Sequence, residues 1–155
     1  METVATRKES QKKKDKYFLD IAHLVATRAT CPRRMVGCVL VDSKQHVVAT
    51  GYNGVPAKFP HCVDNPCEGA EYKTGEGLDV CEAIHAEVNA FLQLRSDDEL
   101  TAYVTVSPCF SCAKMLANSN VSRIVAGEEY SHPQSINILS KAEIKLEVLN
   151  VTESN

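Results

Sequence analysis

The apolar positions of the chain fall into short blocks with two distinct periods. Tyr17, Phe18, Ile21, Leu24 and Val25 recur at helical spacing and predict an amphipathic helix from Lys13 to Thr30, stopped by Pro32 behind Cys31. Val36–Val41 is a continuous run rich in β-branched residues and reads as a buried strand. Asp42–Gln45 is a turn and His46–Tyr52 a second strand, so the two predict a hairpin. Helical spacing returns over Glu82–Arg95 through Ile84, Val88, Phe91 and Leu92. Thr101–Val106 reads as a strand, and Pro108 suits the first turn of a helix running to Asn118. Ser122–Ala126 and Ile144–Leu149 are strands flanking a helix over Gln134–Ala142. The order α-β-β-α-β-α-β-α-β predicts an α/β fold, a three-layer α/β/α sandwich whose five-stranded mixed sheet is flanked by helices.

Residues 53–80 break this pattern. They carry Pro56, Pro60 and Pro66 and show no period. A loop of that length in a compact domain is functional or pinned by something outside itself.

Composition narrows the class. The chain has 155 residues, 44% hydrophobic and 24% charged, the mix of one soluble domain with its own core. No apolar run approaches the roughly 20 residues of a membrane helix, and no secretory h-region follows Met1. Seven cysteines, an odd number without a secretory signal, point to a reducing, cytoplasmic setting. There, metal ligation or thiol burial outweighs a disulfide framework. Residues 1–16 hold six bases and three acids although the net charge is −3, so the rest of the chain is acidic and a poor partner for polymeric nucleic acid. Residues 1–15 are expected to be a flexible basic N-terminus and residues 16–155 a single domain.

Two short motifs bring chemistry. His85-Ala86-Glu87 opens one predicted helix and Pro108-Cys109-Phe110-Ser111-Cys112 the next. One imidazole and two thiolates are three of the four ligands of a catalytic zinc, with the fourth position open to water. Cys109 and Cys112 are three apart and can face one metal from one helical turn, where the helix N-terminus favours thiolate. Glu87 stands near the metal without being a ligand. Each motif alone is common, but together and in this order they resemble the signature of zinc nucleobase deaminases. That resemblance implies hydrolytic deamination, in which metal-activated water attacks the amine-bearing carbon and Glu87 carries the protons. The backbone near Ala86 and Ser107 is placed to read the amine edge of the base.

Beyond the zinc motifs, Thr30-Cys31-Pro32-Arg33, Val36-Gly37, Gly51-Tyr52-Asn53-Gly54, Val88-Asn89-Ala90 and Tyr103-Val104-Thr105 resemble deoxycytidylate (dCMP) deaminases of the cytidine-deaminase-like superfamily. The likeness runs from Tyr17 to Leu149. It implies conversion of dCMP to dUMP and ammonia, feeding thymidylate synthesis. It also implies that Arg33, Asn53 and Tyr130 hold the sugar and 5′-phosphate of a nucleotide substrate. Arg33 fits physically, since a guanidinium grips phosphate with two prongs. A homohexamer is implied as well, with dCTP and dTTP as effectors at a separate site together with magnesium, bordered by the Asn53-Gly54 loop. Some relatives carry a second, structural zinc. Cys31, Cys62, Cys67 and Cys81 are the matching candidates here, with His61 as a substitute ligand. Cys38 is left as a buried strand thiol.

Two other readings compete. A related deaminase could act on dCTP, methylated dCMP or another amine-bearing base. Alternatively, the chain could be a zinc-stabilised binding module without activity, for which a carboxylate at position 87 has no use.

Overall fold

The structure, a computed structural model, describes residues 6–130 and 132–150. It contains α1 (Arg7–Ala26), β1 (Gly37–Val41), β2 (Val47–Tyr52), α2 (Ala86–Gln93), β3 (Leu100–Val104), α3 (Phe110–Ala117), β4 (Val121–Ala126), α4 (Pro133–Lys141) and β5 (Lys145–Val148). A short 3₁₀ turn over Glu68–Glu71 interrupts the long loop. The strands form one five-stranded mixed sheet in the order β2-β1-β3-β4-β5. β1 pairs antiparallel with β2 and β3, while β3–β4 and β4–β5 are parallel. The predicted element order and three-layer architecture are those observed.

The layers are unequal. On one face α1 packs alone: Phe18, Leu19 and Ala22 meet Val39, Val41, Tyr103 and Val125. The opposite face carries the other three helices, where Ala86, Ala90, Ala113, Leu116 and Leu139 cover Cys38, Leu40, Ala102, Val104, Ile124 and Ala126. Alternate residues of each central strand thus serve the two faces. Cys38 is fully buried, as its strand predicts.

The first helix differs from its predicted form in extent and in face. It starts at Arg7, so residues 7–15 of the segment expected to be flexible are helical; residues 1–5 lie outside the described residues. The cause is a capping box, in which the Thr6 hydroxyl accepts from the Glu9 N–H and the Glu9 carboxylate accepts from the Thr6 N–H. The same stretch is anchored by Asp15, which accepts from Arg123 at 2.8 and 2.6 Å and from the Tyr103 hydroxyl at 2.8 Å. The buried stripe is Asp15, Phe18, Leu19, Ala22 and Ala26, and Tyr17 and Leu24 face outward. Ala22 and Ala26 take the inner face because α1 lies on Gly37. A Cβ at Gly37 would sit 2.0 Å from the Ala22 carbonyl oxygen, so only glycine permits this approach. Among the described residues no helix is long and apolar enough to cross a membrane.

Candidate active site

The site is built where two helices begin. His85 is the N-cap of α2, with Ala86 and Glu87 in the first turn, and Cys109 is the N-cap of α3, with Cys112 one turn further on. Spacing alone places His85 inside a helix starting at Glu82 and Pro108 in a first helical turn. Both helices instead start later, and His85 and Cys109 have extended backbone. The capping positions carry the ligands, while the following turn supplies Glu87 and Cys112.

Three links hold α2 against the sheet. Gly54 and Ile84 exchange backbone hydrogen bonds of 3.1 and 2.8 Å, which fixes the residue just before His85. Asn89 Nδ2 donates to the Tyr52 carbonyl at 2.8 Å. Gly51 admits the helix itself. The Asn53-Gly54 pair is therefore an anchored crossing and not a free turn.

His85 Nδ1 lies 3.4 Å from the Cys109 sulfur and 3.4 Å from the Cys112 sulfur. The three ligand atoms all lie within 4.8 Å of one another. Tetrahedral bonds of about 2.0 Å to nitrogen and about 2.3 Å to sulfur would separate such atoms by roughly 3.6 Å, so the donor set fits zinc in both chemistry and spacing. The Cys112 contact, together with the His85 imidazole, brings the Cys109 thiol down to about 4 against the burial that opposes it. The same Cys109 contact raises Cys112, helped by burial and the neighbouring Glu87 carboxylate. The hydrogen bond to Cys109 raises His85. Glu87 Oε2 is 3.5 Å from the Cys112 sulfur. The residue is 4% exposed, and burial pushes its carboxyl up.

A cavity opens from this cluster. His85, Ala86, Glu87, Ser107 and Cys109 line it together with Arg33, Arg34, Val36, Asn53 and Tyr130. All the residues expected to hold substrate therefore face one space. Their hydrogen bonds differ from the expectation in part. Asn53 ties the chain after α1 to the end of β2: its Oδ1 accepts from the Val36 N–H and its Nδ2 donates to the Arg34 carbonyl, both at 2.8 Å. Ser107 Oγ accepts from the Tyr130 N–H and donates to the Tyr130 carbonyl, fixing that residue's backbone to the start of α3. Arg33 Nη1 donates to the carbonyls of Tyr72, Lys73 and Glu76 at 3.2, 2.9 and 2.8 Å.

Thr74, Gly75 and Leu78 of the long loop also line the cavity. Spacing did not single them out because the loop has no period. The only sign was its length and its glycines, of which Gly75 and Gly77 have positive φ.

Beside the catalytic pair and the strand thiol Cys38, four further thiols remain. Cys62 and Cys67 are buried together, and the Cys67 N–H donates to the Cys62 sulfur at 3.3 Å. Cys31 and Cys81 line the active-site cavity. Among the described residues, His85, Cys109 and Cys112 are the only metal-type group drawn within 4.8 Å, so Cys31, Cys62, Cys67 and Cys81 do not close to that spacing as a set. The His61 carbonyl accepts from the Asp64 and Asn65 N–H groups, which turns the chain between Cys62 and Cys67.

The sequence profile of the cytidine and deoxycytidylate deaminase zinc-binding region matches residues 12–128. The chain belongs to the cytidine and deoxycytidylate deaminase family. Within this family it is 40% identical over 124 residues to the deoxycytidylate deaminase of Mycobacterium phage D29, covering 74% of this chain and 94% of the phage protein. It is 33% identical over 143 residues to the deoxycytidylate deaminase of Saccharomyces cerevisiae, covering 90% of this chain and 46% of the yeast protein. The chain thus spans less than half the length of the yeast relatives it matches. Its fold resembles the dCMP deaminase of cyanophage S-TIM5, with a TM-score of 0.71 and 25% identity over 88% of this chain and 98% of that one. The S-TIM5 enzyme has also been crystallised with dCMP and dUMP.

Proposed function

We propose that the protein deaminates dCMP hydrolytically to dUMP and ammonia, feeding thymidylate synthesis. The observation that carries this reading is the buried Glu87 carboxylate beside the His85, Cys109 and Cys112 donor set, in a cavity also lined by two arginines. Zinc held by those three side chains would supply the Lewis acidity that makes water nucleophilic near neutral pH. Glu87 Oε2 accepts one proton from water and delivers it to the ring nitrogen, then takes the second from the new C4 hydroxyl and delivers it to the departing amine. Water's oxygen becomes the carbonyl oxygen at C4, and the C4–N bond breaks to release ammonia. The base lies against Ala86 and Ser107, and its sugar and 5′-phosphate extend along Asn53 and Tyr130 toward Arg33 and Arg34. The S-TIM5 enzyme's complexes with dCMP and dUMP support the choice of nucleotide.

In this reading residues 16–155 act as one zinc-dependent domain of a cytoplasmic homohexamer. A separate site takes dCTP or dTTP with magnesium. A second zinc is carried by Cys31, Cys62, Cys67 and Cys81. It is supported by the contact of Cys62 with Cys67, two buried thiols in one turn. Metal analysis giving two zinc ions per chain, falling to one in Cys62→Ala, is the expected result; a single zinc in the intact protein removes the second site.

The activity is tested by ammonia release from dCMP, CMP, dCTP and deoxycytidine in parallel, with and without dCTP as activator. Turnover of dCMP far above the others is expected. Equal turnover of deoxycytidine would remove the phosphate from the reading, and preference for dCTP would make the triphosphate the substrate.

A further inference from the structure

Thr74, Gly75 and Leu78 line the catalytic cavity from a loop, residues 72–78, that no helix or strand holds. Their ties run inward. One guanidinium nitrogen, Arg33 Nη1, donates to three carbonyls of this loop, those of Tyr72, Lys73 and Glu76. Three acceptors converging on one cationic nitrogen form the kind of charge-assisted cluster that fixes a turn. Between those acceptors Gly75 turns with φ of +87° and presses toward the opposite wall, where a Cβ would meet the Tyr130 hydroxyl at 3.3 Å. Tyr130 is in turn locked to Ser107, two residues before Cys109. The chain of contact runs from Arg33 through the loop to Tyr130 and back to the metal-side helix.

Arg34 stands differently. It lines the same cavity, but its ion pair is with Glu128, whose side chain is 67% exposed, a weak and screened partner.

We infer that Arg33 is a positioning residue that straps residues 72–78 over the catalytic cavity against Tyr130, and that Arg34 supplies the guanidinium for the substrate's phosphate. This rests on the deaminase reading above and divides a task that it leaves to the two arginines together. An open loop would leave base and sugar exposed to solvent whatever the substrate's 5′ group. Losing the strap therefore costs nucleotide and nucleoside alike, whereas losing the phosphate contact costs the nucleotide alone.

The experiment compares Arg33→Gln and Arg34→Gln with the intact protein, using kcat and KM for dCMP and for deoxycytidine. In parallel, limited trypsin digestion reads the Lys73–Thr74 bond, whose carbonyl Arg33 holds. Arg33→Gln is expected to lower kcat/KM for both substrates by a common factor of about tenfold or more and to speed cleavage after Lys73 at unchanged zinc content. Arg33→Lys, whose ammonium carries three donors, is expected to restore part of the protection. Arg34→Gln is expected to lower dCMP turnover about tenfold or more through KM, leaving deoxycytidine and the Lys73 cleavage rate unchanged. Should Arg33→Gln fail to fold, Gly75→Ala reads the same strap and is expected to speed cleavage after Lys73. Loss of dCMP turnover alone in Arg33→Gln, with trypsin sensitivity unmoved, overturns the inference and returns the phosphate to Arg33. Inactivity of the intact protein on both substrates overturns the deaminase reading instead, while the trypsin comparison still decides whether Arg33 holds the loop.

Discussion

A Cβ on Gly51 of β2 would sit 2.3 Å from the carbonyl oxygen of Ala86 and 2.3 Å from the amide nitrogen of Ala90. The sheet and α2 touch backbone to backbone at the point where the helix presents His85 and Glu87. A glycine in a strand, ordinarily a weakness, here sets the depth of the metal-binding helix.

Gly51→Ala forces α2 outward. Overpacking of this kind costs about 1–3 kcal/mol, and because the displaced turn carries His85, zinc affinity falls with stability. Denaturant unfolding together with metal analysis checks this; full zinc occupancy with unchanged stability would show that α2 can shift without disturbing the site.

Glu87→Gln keeps shape and removes the proton carrier. Deamination is expected to fall about 100-fold or more, with zinc content retained because Glu87 is not among the three clustered ligands. A variant that keeps most of its turnover would favour a structural metal site.

Cys109→Ser replaces a soft thiolate with a hydroxyl at the N-cap of α3. Zinc and activity are expected to be lost together, while far-UV circular dichroism keeps its native shape. The reason is that the apolar clusters on both sheet faces do not depend on the metal. A collapse of secondary structure in this variant would mean that the metal is part of the folding nucleus.

Asp15 and Arg123 make the pH prediction. Burial alone would push the Asp15 carboxyl up, but hydrogen bonds from Arg123, Tyr103 and Gln11 outweigh it and hold the folded value below the ordinary 3.8. A depressed carboxyl stabilises the fold fully above its unfolded value, and that contribution is lost as the pH falls through the lower folded value. Asp15→Asn is therefore expected to cost about 2–3 kcal/mol at pH 7. The gap between variant and intact protein should narrow below pH 3.8. A gap that is constant with pH, in urea unfolding from pH 7 to pH 3, would assign the loss to packing alone.

The order of the elements, the mixed sheet and the pairing of His85-Ala86-Glu87 with Cys109 and Cys112 are legible along the chain. Each of these is local: side-chain period follows backbone geometry, and ligand spacing follows the helical turn. Which face of α1 is buried is set in three dimensions, because Tyr17 and Phe18 both carry a large ring and the close approach over Gly37 selects between them. Tertiary structure also turned His85 and Cys109 into capping residues, since a helix start depends on where the backbone leaves the sheet. It gave Arg33 three loop carbonyls as partners. Residues 33 and 72–76 are some forty positions apart, and a contact across that distance in an aperiodic loop leaves no pattern in the chain.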